Sequence, residues 1–71
     1  MKIINKFADR LKELRLEKGL SQNQLAKETK ISPRAIGMWE SKQRTPNIEA
    51  IITLAIFFGV TSDFLIGLSD Y

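Results

Sequence analysis

The sequence predicts an all-α protein, built from five short helices in a single domain that covers residues 1–71. No segment alternates apolar and polar residues with the period of two that a half-buried strand requires. Instead, apolar residues five positions apart flank three of the predicted helix starts, a spacing typical of the hydrophobic staple. A chain of 71 residues limits the protein to one domain, and its 44% hydrophobic residues supply a core.

The first helix is predicted over residues 6–18, and Gly19 suits the left-handed position that ends a helix. The second helix is predicted over residues 22–29. It begins with a capping box, in which Ser21 caps the Gln24 amide and Gln24 bonds back to the Ser21 backbone. The buried stripe of the first helix follows the i, i+4, i+7 spacing and consists of Phe7, Leu11 and Leu14.

The remaining helices are predicted over residues 33–40, over residues 48–58, and from residue 62 to near Gly67. Pro33 falls at the first helical position, where its missing N–H costs nothing. The three staples pair Leu20 with Leu25, Ile31 with Ile36, and Val60 with Leu65. Apolar spacing predicts a core stripe on the fourth helix made of Ile48, Ile51, Leu54, Ala55 and Phe58.

Residues 21–41 are predicted to form a helix-turn-helix, because only residues 30–32 join the second helix to the third. So short a turn makes the two helices cross steeply. Ala26 is small enough for a close crossing, and Ile36 and Trp39 form the matching inner face of the third helix. The outward face of that helix is short and carries no acid; it includes Ser32, Pro33, Arg34, Gly37 and Met38.

Several segments carry a family resemblance: RLKELR at 10–15, GLSQNQLA at 19–26, and DFLIG at 63–67. Residues 31–32, 36, 39–40, 46, 54–55 and 59–60 add to it in the same order and spacing. Over residues 7–67 the sequence resembles the Cro/CI-type (XRE-like) helix-turn-helix transcriptional regulators. The resemblance implies a compact five-helix, lambda-repressor-like DNA-binding domain, with the helix-turn-helix at helices 2 and 3.

The resemblance also implies roles for individual residues, with the third helix inserted into the major groove of DNA. Arg34 would form a forked pair with guanine, and Gly37 would let the backbone approach the bases; the alternative is that Gly37 is only a weak point in the helix. Base contacts would come from Ser32, Arg34, Gly37 and Met38. Phosphate contacts would come from Ser21, Gln22, Asn23, Lys42, Gln43 and Arg44, unless Ser21 only caps its helix and Lys42 and Arg44 only solvate a loop.

Arg15 and Glu40 match a family pair that ties the first helix to the end of the third. The planar guanidinium suits a two-pronged contact with a carboxylate, although desolvation opposes the net gain in stability. We expect Glu40→Ala to damage operator binding more by misplacing Lys42 and Arg44 than by removing a charge.

One position departs from the family, which often has glycine in the turn where this sequence has Lys30. If Lys30 is left-handed, its backbone is strained by about 1–2 kcal/mol. The alternative is a different turn, which would tilt the third helix.

Charge and apolar surface divide the chain into two parts. Residues 1–46 hold all 11 Lys and Arg and five of the 8 acids, a net charge of +6, whereas residues 47–71 hold three acids and no base. The fourth helix has more apolar residues than one face needs, so residues 48–68 are predicted to form a homodimer interface, unless that helix is buried on nearly all sides. The interface residues would be Ile52, Ile56, Phe57, Phe64 and Ile66.

The function predicted from this resemblance is a repressor that binds double-stranded DNA as a homodimer at a pseudo-palindromic operator. The alternative is an antitoxin-like module that binds a protein partner and its own promoter. With no His, no Cys and no phosphate-binding loop, we expect no enzyme, no metal site and no cofactor. The apolar stretch 48–60 is too short to span a bilayer. We therefore expect a cytoplasmic protein, and the resemblance implies that it is nucleoid-associated and encoded by a bacterium or phage.

Overall fold

A computed structural model describes the backbone of residues 3–70 and the side chains of residues 6–70. Five helices follow one another: α1 (Ile3–Glu17), α2 (Gln22–Thr29), α3 (Pro33–Glu40), α4 (Ile48–Phe58) and α5 (Ser62–Ile66). No strand occurs in residues 3–70, so the all-α prediction is confirmed. Four of the helices start where the sequence predicts. The exception is α1, which begins three residues earlier than predicted, at Ile3.

The helix starts are fixed by side-chain caps. Ser21, Ser32, Asn47 and Thr61 each accept a hydrogen bond from the backbone amide three residues later. The predicted capping box of α2 is present, with both of its hydrogen bonds formed. The inner residues of the three staples, Leu25, Ile36 and Leu65, have no exposed surface, and their partners pack against the same core.

The core lies where α1 meets the other helices. The Phe7 and Trp39 rings pack edge to face with centroids 5.9 Å apart, which joins α1 to α3. Ala26 is buried at the α2–α3 crossing, as its small size predicts. The fully buried large side chains are Phe7, Leu11, Leu25, Ile36, Leu54 and Leu65. As a result α3 is held from within by α1 and α2, and its outer face is left open.

The prediction that Ile48 belongs to the core is wrong. Its side chain is 69% exposed, and Ala50 is buried instead. The buried line of α4 runs through Ala50 and Leu54 at a spacing of four residues, and Ile48 lies on the adjacent line with Ile52 and Ile56. Since α4 is apolar on almost every side, its spacing alone does not identify which line faces inward.

Two lysines adopt left-handed backbone conformations. Lys30 ends α2 with φ 61° and ψ 26°, so of the two alternatives predicted for this turn the left-handed lysine is the one found. Lys42, which follows Ser41 at the end of α3, has φ 67°. A residue with a Cβ is strained in this region by about 1–2 kcal/mol.

Arg10 fastens the end of α5 to α1. Its guanidinium donates to the backbone carbonyls of Phe64 and Ser69 and lies 4.1 Å from the centroid of the Phe64 ring. It also lies 3.8 Å from an Asp70 carboxylate oxygen. These contacts cover one side of Phe64, so that ring is half-buried within the domain itself.

We expect Gly67→Ala to destabilise the domain more than Gly59→Ala does. Both glycines are left-handed, with φ 89° and 69°, but a Cβ at Gly67 would lie 2.5 Å from Cβ of Lys6, whereas one at Gly59 would meet nothing within 4 Å. The free energy of unfolding should fall by about 1–2 kcal/mol for Gly59→Ala and by about 1–3 kcal/mol more for Gly67→Ala. Urea denaturation measures both, and equal losses would contradict the close contact with Lys6.

Candidate nucleic-acid interface

The outer face of α3 carries a positively charged side chain, Arg34, that is exposed to solvent. Arg34 is exposed and makes no hydrogen bond or ion pair within residues 3–70, and the same is true of Arg44 in the loop that follows α3. Both arginines line one shallow groove together with Ser32 and Met38. The structure therefore brings three of the four predicted base-contacting residues together with one predicted phosphate-contacting residue.

Ser32 also has a role within the helix itself. Its hydroxyl oxygen accepts a hydrogen bond of 3.1 Å from the Ala35 amide and caps α3. A hydroxyl that accepts through a lone pair still carries a hydrogen to donate. Ser32 can thus cap the helix and offer a donor to an external acceptor at the same time.

The fourth predicted base-contacting residue, Gly37, lies on the other side of α3. There it lines a cleft with Lys12, Gln22 and Ser41. A Cβ at Gly37 would lie 3.4 Å from Oε1 of Gln22, at the near limit of ordinary contact. A Cβ could therefore be accommodated at Gly37, so packing against Gln22 does not by itself require glycine at this position.

Arg15 and Glu40 form a buried two-pronged ion pair. Nε of Arg15 lies 2.7 Å from Oε2 of Glu40, and Nη2 lies 2.9 Å from Oε1. The side chains are only 10% and 4% exposed, and the hydrogen bonds that Arg15 donates to Glu40 raise the pKa of Arg15 despite its burial. Arg15 also donates to the Leu20 carbonyl at 2.8 Å. The pair thus ties α1 to the end of α3 and to the loop before α2.

Gln22 joins this network. Its Nε2 donates to Oε1 of Glu40 over 3.2 Å. Because a carboxylate oxygen only accepts, this bond fixes which end of the amide faces Glu40, and Oε1 of Gln22 lies toward Gly37. Gln22 is therefore held in one orientation at the start of α2, beside α3.

The other predicted phosphate-contacting residues differ in whether their side chains already have a partner within the domain. Ser21 is engaged on both sides by the capping box. Nε2 of Gln43 donates to the Ser41 hydroxyl at 2.8 Å, and Nζ of Lys42 lies 3.5 Å from Oδ1 of Asp9. Asn23 is exposed and has no partner among residues 3–70.

Two residues of α1 belong to this surface, and the sequence analysis missed them. Lys12 is exposed and lines the cleft with Gln22, and Asp9 pairs with Lys42. Helical spacing offered an indication, since Lys12 is three residues from both Asp9 and Arg15 and is a neighbour of each on the surface of α1. The surface around α3 therefore draws on α1 as well as on residues 21–44.

A protein-family model described as helix-turn-helix matches residues 11–65, which include all of α2 and α3. The chain belongs to this helix-turn-helix family. The resemblance drawn from its sequence motifs is thereby confirmed, and the two helices that give the family its name are α2 and α3.

Relatives of the helix-turn-helix chain include the HTH-type transcriptional activator BcrR of Enterococcus faecalis, 41% identical over 86% of this chain and 30% of its own length. The uncharacterized HTH-type transcriptional regulator YobD of Bacillus subtilis is 30% identical over 90% of this chain and 57% of its own length. The SPbeta prophage-derived uncharacterized HTH-type transcriptional regulator YonR of the same organism is 33% identical over 84% of this chain and 56% of its own length. The chain thus spans between 30% and 57% of the length of these relatives. No solved structure matches it significantly.

Two features are absent from the described residues of this helix-turn-helix domain. Within residues 3–70, no helix combines the length and the apolar character that crossing a membrane requires. The same part of the chain contains no group of three or more His, Cys, Asp or Glu side chains that could hold a metal ion.

Proposed function

We propose that this chain is a sequence-specific, double-stranded DNA-binding transcriptional regulator whose α3 enters the major groove. The observation that carries the proposal is Arg34, exposed and unpaired among the described residues on the outer face of α3 in a helix-turn-helix chain. A guanidinium forks onto O6 and N7 of guanine. Ser32 adds a donor, and Met38 adds an apolar contact for a thymine methyl group. The relatives named as transcriptional regulators support the same function.

Phosphate contacts on both sides of α3 would set its position in the groove. At the start of α2, Gln22 and Asn23 lie where backbone amides and the helix dipole favour an anion. After α3, Lys42, Gln43 and Arg44 form the second group. Such contacts position the protein without selecting sequence, and specificity is left to α3.

We further propose a symmetric homodimer formed through the outer face of α4. Ile48, Ile52 and Ile56 follow one another at intervals of four residues and are 69%, 47% and 76% exposed, so this face is not buried within the domain. Phe57, Phe64 and Ile66 are half-buried and offer less surface than the sequence analysis assigned to them. A two-fold dimer presents two copies of α3 about 34 Å apart, which suits a pseudo-palindromic operator.

Of the two possible effects on transcription, we propose repression. Occupying a promoter requires only the DNA-binding surface, whereas activation requires an additional contact with the transcription machinery. A reporter placed behind the selected operator should fall in expression when the protein is induced, and a rise would contradict repression while leaving DNA binding intact.

Salt dependence of binding tests the DNA-binding proposal. Affinity for a selected duplex should fall steeply with salt, with a logarithmic slope of about −0.9 for each phosphate contact. Fluorescence anisotropy from 50 to 200 mM salt measures this slope, with an unrelated duplex of equal length as the control. Binding that is independent of salt, or equal for both duplexes, contradicts the proposal.

The dimer is tested by Ile56→Lys. A lysine on each copy places two charges in the apolar interface, so we expect the mass in sedimentation analysis to fall to that of a monomer and operator affinity to fall with it. Thr53→Lys is the matched control, because it adds the same charge to α4 away from the isoleucine line. An unchanged mass for Ile56→Lys rules out this interface.

Asp9→Asn should raise affinity for duplex DNA. Its carboxylate lies 3.5 Å from Nζ of Lys42 and competes with phosphate for that cation. Both residues are largely exposed, so the gain is modest, on the order of threefold to tenfold at low salt, and it shrinks as salt rises. Glu13→Gln, also on α1, controls for the loss of one negative charge, and an equal gain in that control would exclude a specific role for Asp9.

A further inference from the structure

The left-handed positions of the chain fall into two classes. Within residues 3–70, the positive-φ residues are three glycines, Gly19, Gly59 and Gly67, and two lysines, Lys30 and Lys42. Glycine adopts this conformation without strain, whereas a lysine does not. The chain therefore uses glycine at most of its left-handed positions and departs from that pattern only with a basic residue.

Both lysines lie next to α3. Lys30 ends α2 and comes two residues before the Ser32 cap of α3, and Lys42 follows Ser41 at the other end of α3. Strained residues that persist in a fold are concentrated at functional sites. These two residues lie at opposite ends of α3, the helix proposed to enter DNA. We therefore relate their backbone strain to the function of α3.

Contacts within the domain do not account for Lys30. Its side chain is exposed and forms no hydrogen bond or ion pair with the described residues. A basic residue is attracted to the carbonyl end of any helix. That attraction does not explain why Lys30 replaces glycine at the end of α2, because α4 and α5 end at glycine and have no basic residue in their last turns. Lys30 instead lines a shallow surface with Asn23, Lys27, Ser32 and Pro33 that leads to the start of α3.

We propose that Lys30 is a further contact to the DNA backbone, and that the two left-handed lysines hold a positive charge at each end of α3 at a cost in folding stability. The inference rests on the proposed function. An eight-residue helix is about 12 Å long, close to the width of the major groove. Lys30 lines one surface with Ser32, a predicted base-contacting residue, so a long side chain at this position is placed to reach a phosphate at the edge of the same groove.

The test is Lys30→Gly, which removes the strain and the charge together. We expect Tm to rise by about 4–8 °C as the strain is relieved. Affinity for the selected duplex should fall on the order of eightfold per subunit at 0.1 M salt, and the salt slope should lose about one contact per subunit. A purely structural role for Lys30 predicts the rise in Tm without the change in slope.

Three further variants separate charge from conformation. Lys30→Arg keeps the charge and should keep wild-type affinity, and Lys30→Asn tolerates the left-handed backbone but should bind as weakly as Lys30→Gly. Lys18→Ala, which removes a cation placed 5.2 Å from the Phe57 ring, controls for lost net charge and should leave the slope unchanged. If the wild type binds duplex DNA and Lys30→Gly keeps its affinity and slope, the inference about Lys30 is wrong and the proposed function stands. If the wild type binds no duplex, both fail.

Discussion

Replacing Arg34 with alanine should abolish most of the discrimination between the preferred duplex and an unrelated one. A forked arginine–guanine pair contributes about 1–3 kcal/mol of discrimination, and a dimer makes that contact twice. We therefore expect affinity for the selected site to fall by about 30-fold or more. Binding to unrelated DNA should fall far less, because Arg34 is proposed to contact a base, and the phosphate contacts that hold unrelated DNA remain. Arg34 is exposed and unpaired among the described residues, so the fold itself should be unaffected.

Arg34→Lys is the matched control, since it keeps the positive charge and removes the planar fork. It should retain binding to unrelated DNA and lose most of the preference for the selected site. Equilibrium binding of the wild type and both variants to the two duplexes measures the difference. If Arg34→Ala keeps the wild-type ratio of the two affinities, sequence is recognised elsewhere.

Glu40→Ala should severely destabilise the domain. The substitution leaves the Arg15 guanidinium, which is only 10% exposed, without its carboxylate, and Gln22 without its acceptor. Breaking a buried pair by removing one partner costs about 3–5 kcal/mol. Small domains are stable by only about 5–15 kcal/mol, so a large part of the stability would be lost. Thermal and urea denaturation measure the loss.

The double variant Arg15→Met with Glu40→Leu separates folding from DNA binding. Replacing both members of a buried pair with apolar residues is often neutral for stability, so we expect the double variant to be much more stable than Glu40→Ala. Its DNA affinity should remain low, because the end of α3, and with it Lys42 and Arg44, is no longer fixed to α1. A Glu40→Ala protein with unchanged Tm and full DNA affinity would contradict both roles of the pair.

The starts of α2 to α5 were predictable because they depend on local chemistry. Each cap is a hydroxyl or amide side chain that bonds an amide three residues away, and each staple joins residues five positions apart. The inner faces of α2 and α3 were also predictable, since Ala26, Ile36 and Trp39 are buried where a short turn makes their helices cross. The Arg15–Glu40 contact, 25 residues apart in sequence, came instead from the family resemblance.

Other features depend on how the helices are placed against one another. Which line of α4 faces the core is set by α2 and α5, so Ile48 was assigned to the wrong side. Gln22 of α2 lies close to Gly37 of α3, and Asp9 of α1 pairs with Lys42 in the loop after α3. Both contacts join parts of the chain that are far apart in sequence, so no local spacing predicts them. The left-handed backbone of Lys30 runs against the local preference of its own residue type, so the sequence left two alternatives for this turn and the fold decides between them.

Selection of bound sites from random duplex DNA tests the central claim most directly, which is that the outer face of α3 recognises sequence in a dimer. The account predicts a two-fold related motif whose half-sites lie about 10 base pairs apart, with a guanine in each half. The same selection with Arg34→Ala should lose the preference at that guanine and keep the spacing. No enriched motif with the wild type, or an identical motif with Arg34→Ala, would contradict the account.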